Sequence, residues 1–179
     1  MLEPQNTLLL IIDVQEKLFR VMDEKSALLK NIVALARGSA LLEIPAIITE
    51  QNPDGLGPTL KEITDARPEA LVSTKFSFDC CGETGFTEML SRTGRRQIIV
   101  CGIESHICVY QTAMGLREAG YAVQVVADAV ASRSPANREL ALRRLEKEGI
   151  ALTGTEMALF ELLRTARADL FKAVSALIK

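Results

Sequence analysis

Asp13, Lys75 and Cys108 are the residues whose types and placement point to covalent chemistry in this chain of 179 residues. A carboxylate takes up a proton, an ammonium steadies neighbouring anions, and a sulfur nucleophile attacks an electrophilic carbon. Asp13 ends the apolar run Leu8-Leu-Leu-Ile-Ile12, which would deliver it partly desolvated and therefore more basic. Lys75 ends the short run Leu71-Val-Ser-Thr74. Cys108 follows Gly102-Ile-Glu-Ser-His-Ile107, in what reads as the first turn of a helix. Unpaired N–H groups and the helix dipole favour an anion there, so a thiol of depressed pKa is expected, with Lys75 helping. Each residue also has a plainer reading. Cys108 would serve as a small buried hydrophobe, Asp13 as a cap on the next turn and Lys75 as a solvated loop residue.

Other reactive side chains fit less well. His106, the single histidine, lies two positions from Cys108, so on one helix the two point apart. A capping or supporting role is expected for it. Cys101 lies within an apolar run and reads as core, and Cys80 and Cys81 border the presumed pocket without an assigned role.

These residues need elements to hold them. Thr7–Ile12 reads as a buried parallel strand, followed by a helix from about Lys25 to Leu42 with Leu28, Ile32, Leu35 and Ala36 on one face. Ala46–Thr49 and Leu71–Lys75 read as strands two and three, separated by the loop Gln51–Pro58. A helix over Glu83–Thr93 stops at Gly94, and Gln97–Cys101 is a fourth strand. A helix over Ser105–Glu118, a strand over Tyr121–Ala127, a helix from Pro135 to Gly149 capped by Ser134, and a strand over Ile150–Thr153 follow. In a last helix Leu170, Phe171, Val174, Leu177 and Ile178 share a face. Alternating strands and helices predict one α/β domain over residues 1–179, a doubly wound, Rossmann-like, six-stranded parallel sheet with helices on both faces. Such sheets bind ligands beyond the carboxyl ends of their strands, where strand order reverses, which is where the three reactive residues fall.

Composition narrows the field. The net charge of -2 and the lack of Trp argue against nucleic acid and anionic membranes as partners. No apolar stretch approaches the roughly 20 residues that span a bilayer. The N-terminal run lacks the basic start and cleavage site of a secretory signal, so a cytoplasmic location is expected. The 4 cysteines form no C-x-x-C pair and read as reduced thiols.

Leu9-Leu-Ile-Ile-Asp13-Val-Gln15, Ser73-Thr-Lys75-Phe-Ser-Phe78, Val100-Cys-Gly102-Ile-Glu-Ser-His-Ile-Cys108-Val109 and Val125-Val-Ala-Asp128-Ala-Val-Ala-Ser-Arg133-Ser134 resemble the isochorismatase-like (cysteine hydrolase) family. The likeness runs through nearly the whole chain in the right order. Thr49-Glu-Gln51 and Gly55-Leu-Gly-Pro58 look nearest to the branch called isochorismatase domain-containing proteins. The resemblance implies a catalytic triad carried by Asp13, Lys75 and Cys108, with the backbone N–H groups of Glu104 and Cys108 as an oxyanion hole. It also implies a cis peptide between Ile103 and Glu104 and a homo-oligomer. Gln15, Phe19 and Phe76 are expected to line the substrate pocket. Isochorismatases proper lack the nucleophilic cysteine, and nicotinamidases hold a metal through histidines that the segment Thr49–Gly55 does not contain. The remaining expectation is a cofactor-free, metal-independent hydrolase of a small amide, carbamoyl compound or related acyl substrate.

Three rivals stand beside it. A dinucleotide site would need a glycine-rich turn where this chain has Asp13-Val-Gln-Glu-Lys17. An aspartyl phosphotransferase would use Asp13 with magnesium and leave Cys108 idle. A non-catalytic small-molecule-binding or regulatory protein would keep the fold alone.

Overall fold

The computed structural model describes residues 1–179. In chain order the elements are β1 (Thr7–Ile12), α1 (Glu16–Phe19), α2 (Lys25–Leu41), β2 (Ala46–Gln51), α3 (Pro53–Leu56), α4 (Lys61–Ala66) and β3 (Leu71–Lys75). Then come α5 (Thr84–Arg92), β4 (Gln97–Ile103), a π-helical turn (Ser105–Val109), α6 (Tyr110–Glu118) and β5 (Ala122–Ala131). The chain closes with α7 (Pro135–Lys147), β6 (Ala151–Thr153), α8 (Thr155–Leu163) and α9 (Phe171–Ala176).

The six strands form one sheet in the order β3-β2-β1-β4-β5-β6, every pair parallel. The expected doubly wound sheet is therefore present, and its order reverses between β1 and β4. β1 is sealed on both faces because every residue in it is apolar except Thr7. Leu9 and Ile11 face a core built with Leu28, Ile32 and Leu35 of α2, Leu159 and Leu162 of α8 and Val174 of α9. Leu8, Leu10 and Ile12 face the opposite core, with Phe86 and Leu90 of α5, Ala113 and Leu116 of α6, and Leu145 of α7. Each of these large side chains contributes roughly 1.5–3 kcal/mol by burial. The apolar stripe of the last helix packs onto its own sheet, through Val174, Leu170, Phe171 and Ile178. No helix is long and apolar enough to cross a membrane.

Several boundaries differ from the sequence reading. β5 runs on to Ala131, beyond the expected end at Ala127, because its pairing with β4 shifts register between Val100 and Gly102 and resumes at Val130. The loop after β2 contains the short helix α3, and α4 was not foreseen because only Ile63 of it is buried. Ser134 occupies the N-cap of α7, but its side chain makes no capping bond, and Pro135 supplies the start. Gly102 is the one glycine on which the crevice depends. It adopts φ 118°, and a Cβ there would meet the Ile12 carbonyl oxygen at 2.2 Å. Only glycine lets the end of β4 lie this close to the end of β1, immediately before Asp13.

Candidate active site

Asp13, Lys75 and Cys108 come from three separate stretches and meet beyond the carboxyl ends of the strands. Asp13 sits one residue past β1 with φ 52°, a left-handed conformation that aspartate tolerates better than most residues. Its N–H donates to the Thr49 carbonyl at 3.1 Å. Lys75 closes β3, two strands away, and its long side chain crosses under β2 to reach Asp13. The Lys75 Nζ to Asp13 Oδ2 distance is 2.6 Å, and both side chains are almost completely buried. Thr49 Oγ1 donates to Asp13 Oδ1 at 2.8 Å. Lys75 Nζ also donates to Gln51 Oε1 at 2.8 Å and to the Ser77 carbonyl at 3.1 Å. A buried ion pair is tolerable only when the remaining lone pairs and protons find partners; the cage supplies them for Lys75 and for Asp13 Oδ1, while Asp13 Oδ2 has the ammonium alone.

The electrostatics differ from the sequence reading in one respect. Burial alone would lower the pKa of Lys75, but the charge of Asp13, and that of Cys108 or Cys80 when ionised, outweighs it and raises the net value. The Cys108 thiol is pushed the other way from expectation. Burial first, and the adjacent Asp13 charge second, drive it up to about 12, against the opposing pull of Lys75. Cys108 also precedes α6 within the π-helical turn, so it does not occupy the first α-helical turn at all. Cys108 therefore rests as a thiol beside the Asp13 carboxylate, not as the thiolate that its place in the sequence suggests.

The segment between β4 and α6 completes the site. The peptide between Ile103 and Glu104 is cis. Glu104 is buried and its Oε2 accepts from the Arg133 N–H and Nε, at 3.2 and 3.1 Å. His106 Nδ1 lies 3.0 Å from Ser132 Oγ, which ties this turn to the end of β5 and gives His106 a supporting role. Cys80 is fully buried, and its N–H donates to Thr112 Oγ1 at 3.1 Å, one helical turn beyond Cys108. Burial pushes its thiol up to about 11. Cys101 lies in the core with a carbonyl neighbour, as expected.

The three residues expected to line the pocket are not gathered into a wall. Gln15 is sealed, and both ends of its amide hold backbone. Its Nε2 donates to the Gln51 and Gly57 carbonyls at 3.0 and 2.7 Å, and its Oε1 accepts from the Gln51 N–H at 2.8 Å. It braces the loop after β2, because a buried amide must satisfy all its polar atoms. Phe19 packs half-buried on the core beside α2. Phe76, next to Lys75, is 74% exposed and stands out at the mouth of the site with Phe78. A cleft of about 870 Å³ at the other end of the strands contains none of these groups.

Sequence reading missed Thr49, Gln51 and Glu83. The first two lie at the carboxyl end of β2, beside β1 in the sheet, and that position was the available signal. Glu83 Oε1 accepts from the Phe76 and Ser77 N–H groups, each at 3.0 Å, and from Ser77 Oγ at 2.8 Å. These bonds hold in place the Ser77 carbonyl that Lys75 needs. They also pull the Glu83 carboxyl down to about 2. A depressed carboxylate stabilises the fold above its ordinary pKa, and that contribution is lost as pH falls through about 2. The Glu83 carboxyl resonance is therefore expected to stay in its ionised position down to about pH 2, and Glu83→Gln is expected to loosen the amides of Phe76 and Ser77 in hydrogen exchange. Unaltered exchange in Glu83→Gln would contradict this role.

Comparison with known proteins places this geometry in context. Residues 7–157 match the family model for the Isochorismatase domain. Isochorismatase domain-containing protein 2 of Danio rerio is 37% identical over 179 residues, covering 99% of this chain and 89% of its own length. The structure of a MAR1 ribonuclease from Caenorhabditis elegans superposes with a TM-score of 0.93 at 32% identity, over 99% of this chain and 91% of the other. The YcaC gene product of Escherichia coli, an octameric hydrolase of unknown specificity, superposes with a TM-score of 0.93 at 25% identity, over 99% and 88%.

Proposed function

The chain belongs to the isochorismatase family, and from that premise we propose that it is a metal-independent cysteine hydrolase of a small amide, carbamoyl compound or related acyl substrate. The observation that carries the reading is the 2.6 Å pair of Lys75 and Asp13, buried beside a thiol whose proton the same carboxylate can take. As the substrate carbonyl enters, Asp13 accepts the Cys108 proton and sulfur bonds to the carbonyl carbon. The electron pair displaced onto oxygen is held by the N–H groups of Glu104 and Cys108. When the tetrahedral species collapses, the carbon–nitrogen bond breaks and the leaving nitrogen takes the proton from Asp13. Water, deprotonated by Asp13, then attacks the thioester. The carbon–sulfur bond breaks, and the thiol regains its proton. Lys75 holds Asp13 in place and balances the negative charge at each stage.

The ribonuclease named above describes the Caenorhabditis elegans protein. In this chain a net charge of -2 and a sulfur nucleophile with an adjacent carboxylate favour a small acyl substrate over RNA. The test is a release assay for ammonia or amine across a panel of small amides and carbamoyl compounds, run with and without hydroxylamine. A hydroxamate product that appears with hydroxylamine, at a rate unaffected by a metal chelator, is the expected result. Turnover that requires added divalent metal would overturn the proposal.

Self-association belongs to the same proposal. Phe76, Phe78 and Val72 are all at least 50% exposed along one edge of the sheet, and the similar Escherichia coli hydrolase is octameric. Light scattering on the eluting protein is expected to give a multiple of 19.6 kDa. A mass equal to one chain at every concentration would remove this part of the reading.

A further inference from the structure

We propose that the large cleft at the amino ends of β2 and β3 is a binding site for a small organic anion with an apolar body. The cleft, about 870 Å³, lies between the end of α2, the start of β3 and α5. The triad lies at the opposite ends of these strands, about 13 Å away along β3 from Leu71 to Lys75. Its apolar wall includes Pro45, Met89 and the half-exposed Leu71. Three guanidinium groups line it as well.

The three differ in how firmly they are held. Arg67 is only 5% exposed; one terminal nitrogen donates to the Ile44 carbonyl, and another pairs with Glu69 at 2.5 Å. Its Nε is buried with no partner at all. That N–H has no surface open to the cleft, so a ligand does not reach it, and Arg67 is a fixed wall group rather than a free donor. The Arg95 side chain makes a single hydrogen bond, from Nη1 to the Pro4 carbonyl at 3.1 Å, and pairs with no carboxylate. Arg92 holds Glu88 at 3.6 Å between two well-exposed side chains, a weak pairing that a ligand can replace. Of the carboxylates at the cleft, Glu69 and Glu88 are thus already paired with arginine, and Glu43 is exposed to solvent. The surplus of unfilled donors is guanidinium N–H, whose fork geometry suits a carboxylate or phosphate. The adjoining apolar wall suits a hydrocarbon or aromatic body rather than a bare ion.

Titration calorimetry at fixed ionic strength tests this with sodium benzoate, inorganic phosphate and benzyl alcohol. Benzoate is expected to bind saturably with a Kd of about 1 mM or tighter, and the other two probes about tenfold more weakly or not at all. Arg95→Met is expected to weaken benzoate about tenfold. Leu71→Glu, at an exposed edge position, is expected to do the same. Cys108→Ala is expected to leave benzoate binding unchanged. The proposal is overturned by absence of saturable binding, by equal affinity for phosphate or benzyl alcohol, by undiminished affinity in both cleft variants, or by loss of binding in Cys108→Ala.

Discussion

Lys75→Met is expected to destabilise the protein by about 3–5 kcal/mol, because it leaves the Asp13 carboxylate buried without a cation. Asp13 has no exposed surface, so water cannot replace the lost ammonium. For a chain of this size the shift in Tm is about 10 °C. The double variant Asp13→Leu, Lys75→Met removes both charges and is expected to recover much of that loss while remaining inactive. A double-mutant cycle in thermal or denaturant unfolding reads the coupling directly. If Lys75→Met unfolds at the wild-type temperature, the pair is not the closed ion pair described above.

Asp13→Asn separates the two tasks of the carboxylate. After burial, the Asp13 charge and hydrogen bond are the largest influences that raise the Cys108 thiol, and Lys75 pulls it down. Removing the charge of Asp13 leaves Lys75 without its anion, and a Cys108 thiolate can then take that place. The alkylation rate of Cys108, mapped by peptide mass spectrometry against pH, is expected to move to lower pH in Asp13→Asn. Turnover is expected to fall by about 10⁴-fold, because no base remains to shuttle the proton. A variant that is inactive yet more readily alkylated at neutral pH is hard to obtain from simple misfolding. If Cys108 instead became slower to alkylate, the charge relations at the site would be wrong.

Much of this arrangement was legible in the chain before its fold was known, for identifiable reasons. A short uninterrupted apolar run such as Leu8–Ile12, too brief for a buried helix, reads as a strand covered on both faces, and that placed Asp13 at the crevice. The strand-helix alternation then determined which residues lie at carboxyl ends. What could not be read depends on contacts between distant segments. Lys75 is caged by Gln51 and by the Ser77 carbonyl that Glu83 secures, and no local pattern links those positions. Gln15 follows Asp13 so closely that it invited a substrate role, yet burial turns its amide into a brace for backbone. The thiol was misread for a related reason. Helix position argues for an anion, but enclosure and a carboxylate neighbour outweigh it, and neither is visible in sequence spacing.

The central claim is that the Cys108 sulfur attacks the substrate, and turnover by Cys108→Ala measures it most directly. With any substrate from the amide and carbamoyl panel that wild type converts, Cys108→Ala is expected to lose at least about 10⁴-fold in kcat while its unfolding temperature stays near that of wild type. A folded Cys108→Ala protein that turns the same substrate over at the wild-type rate would contradict the account.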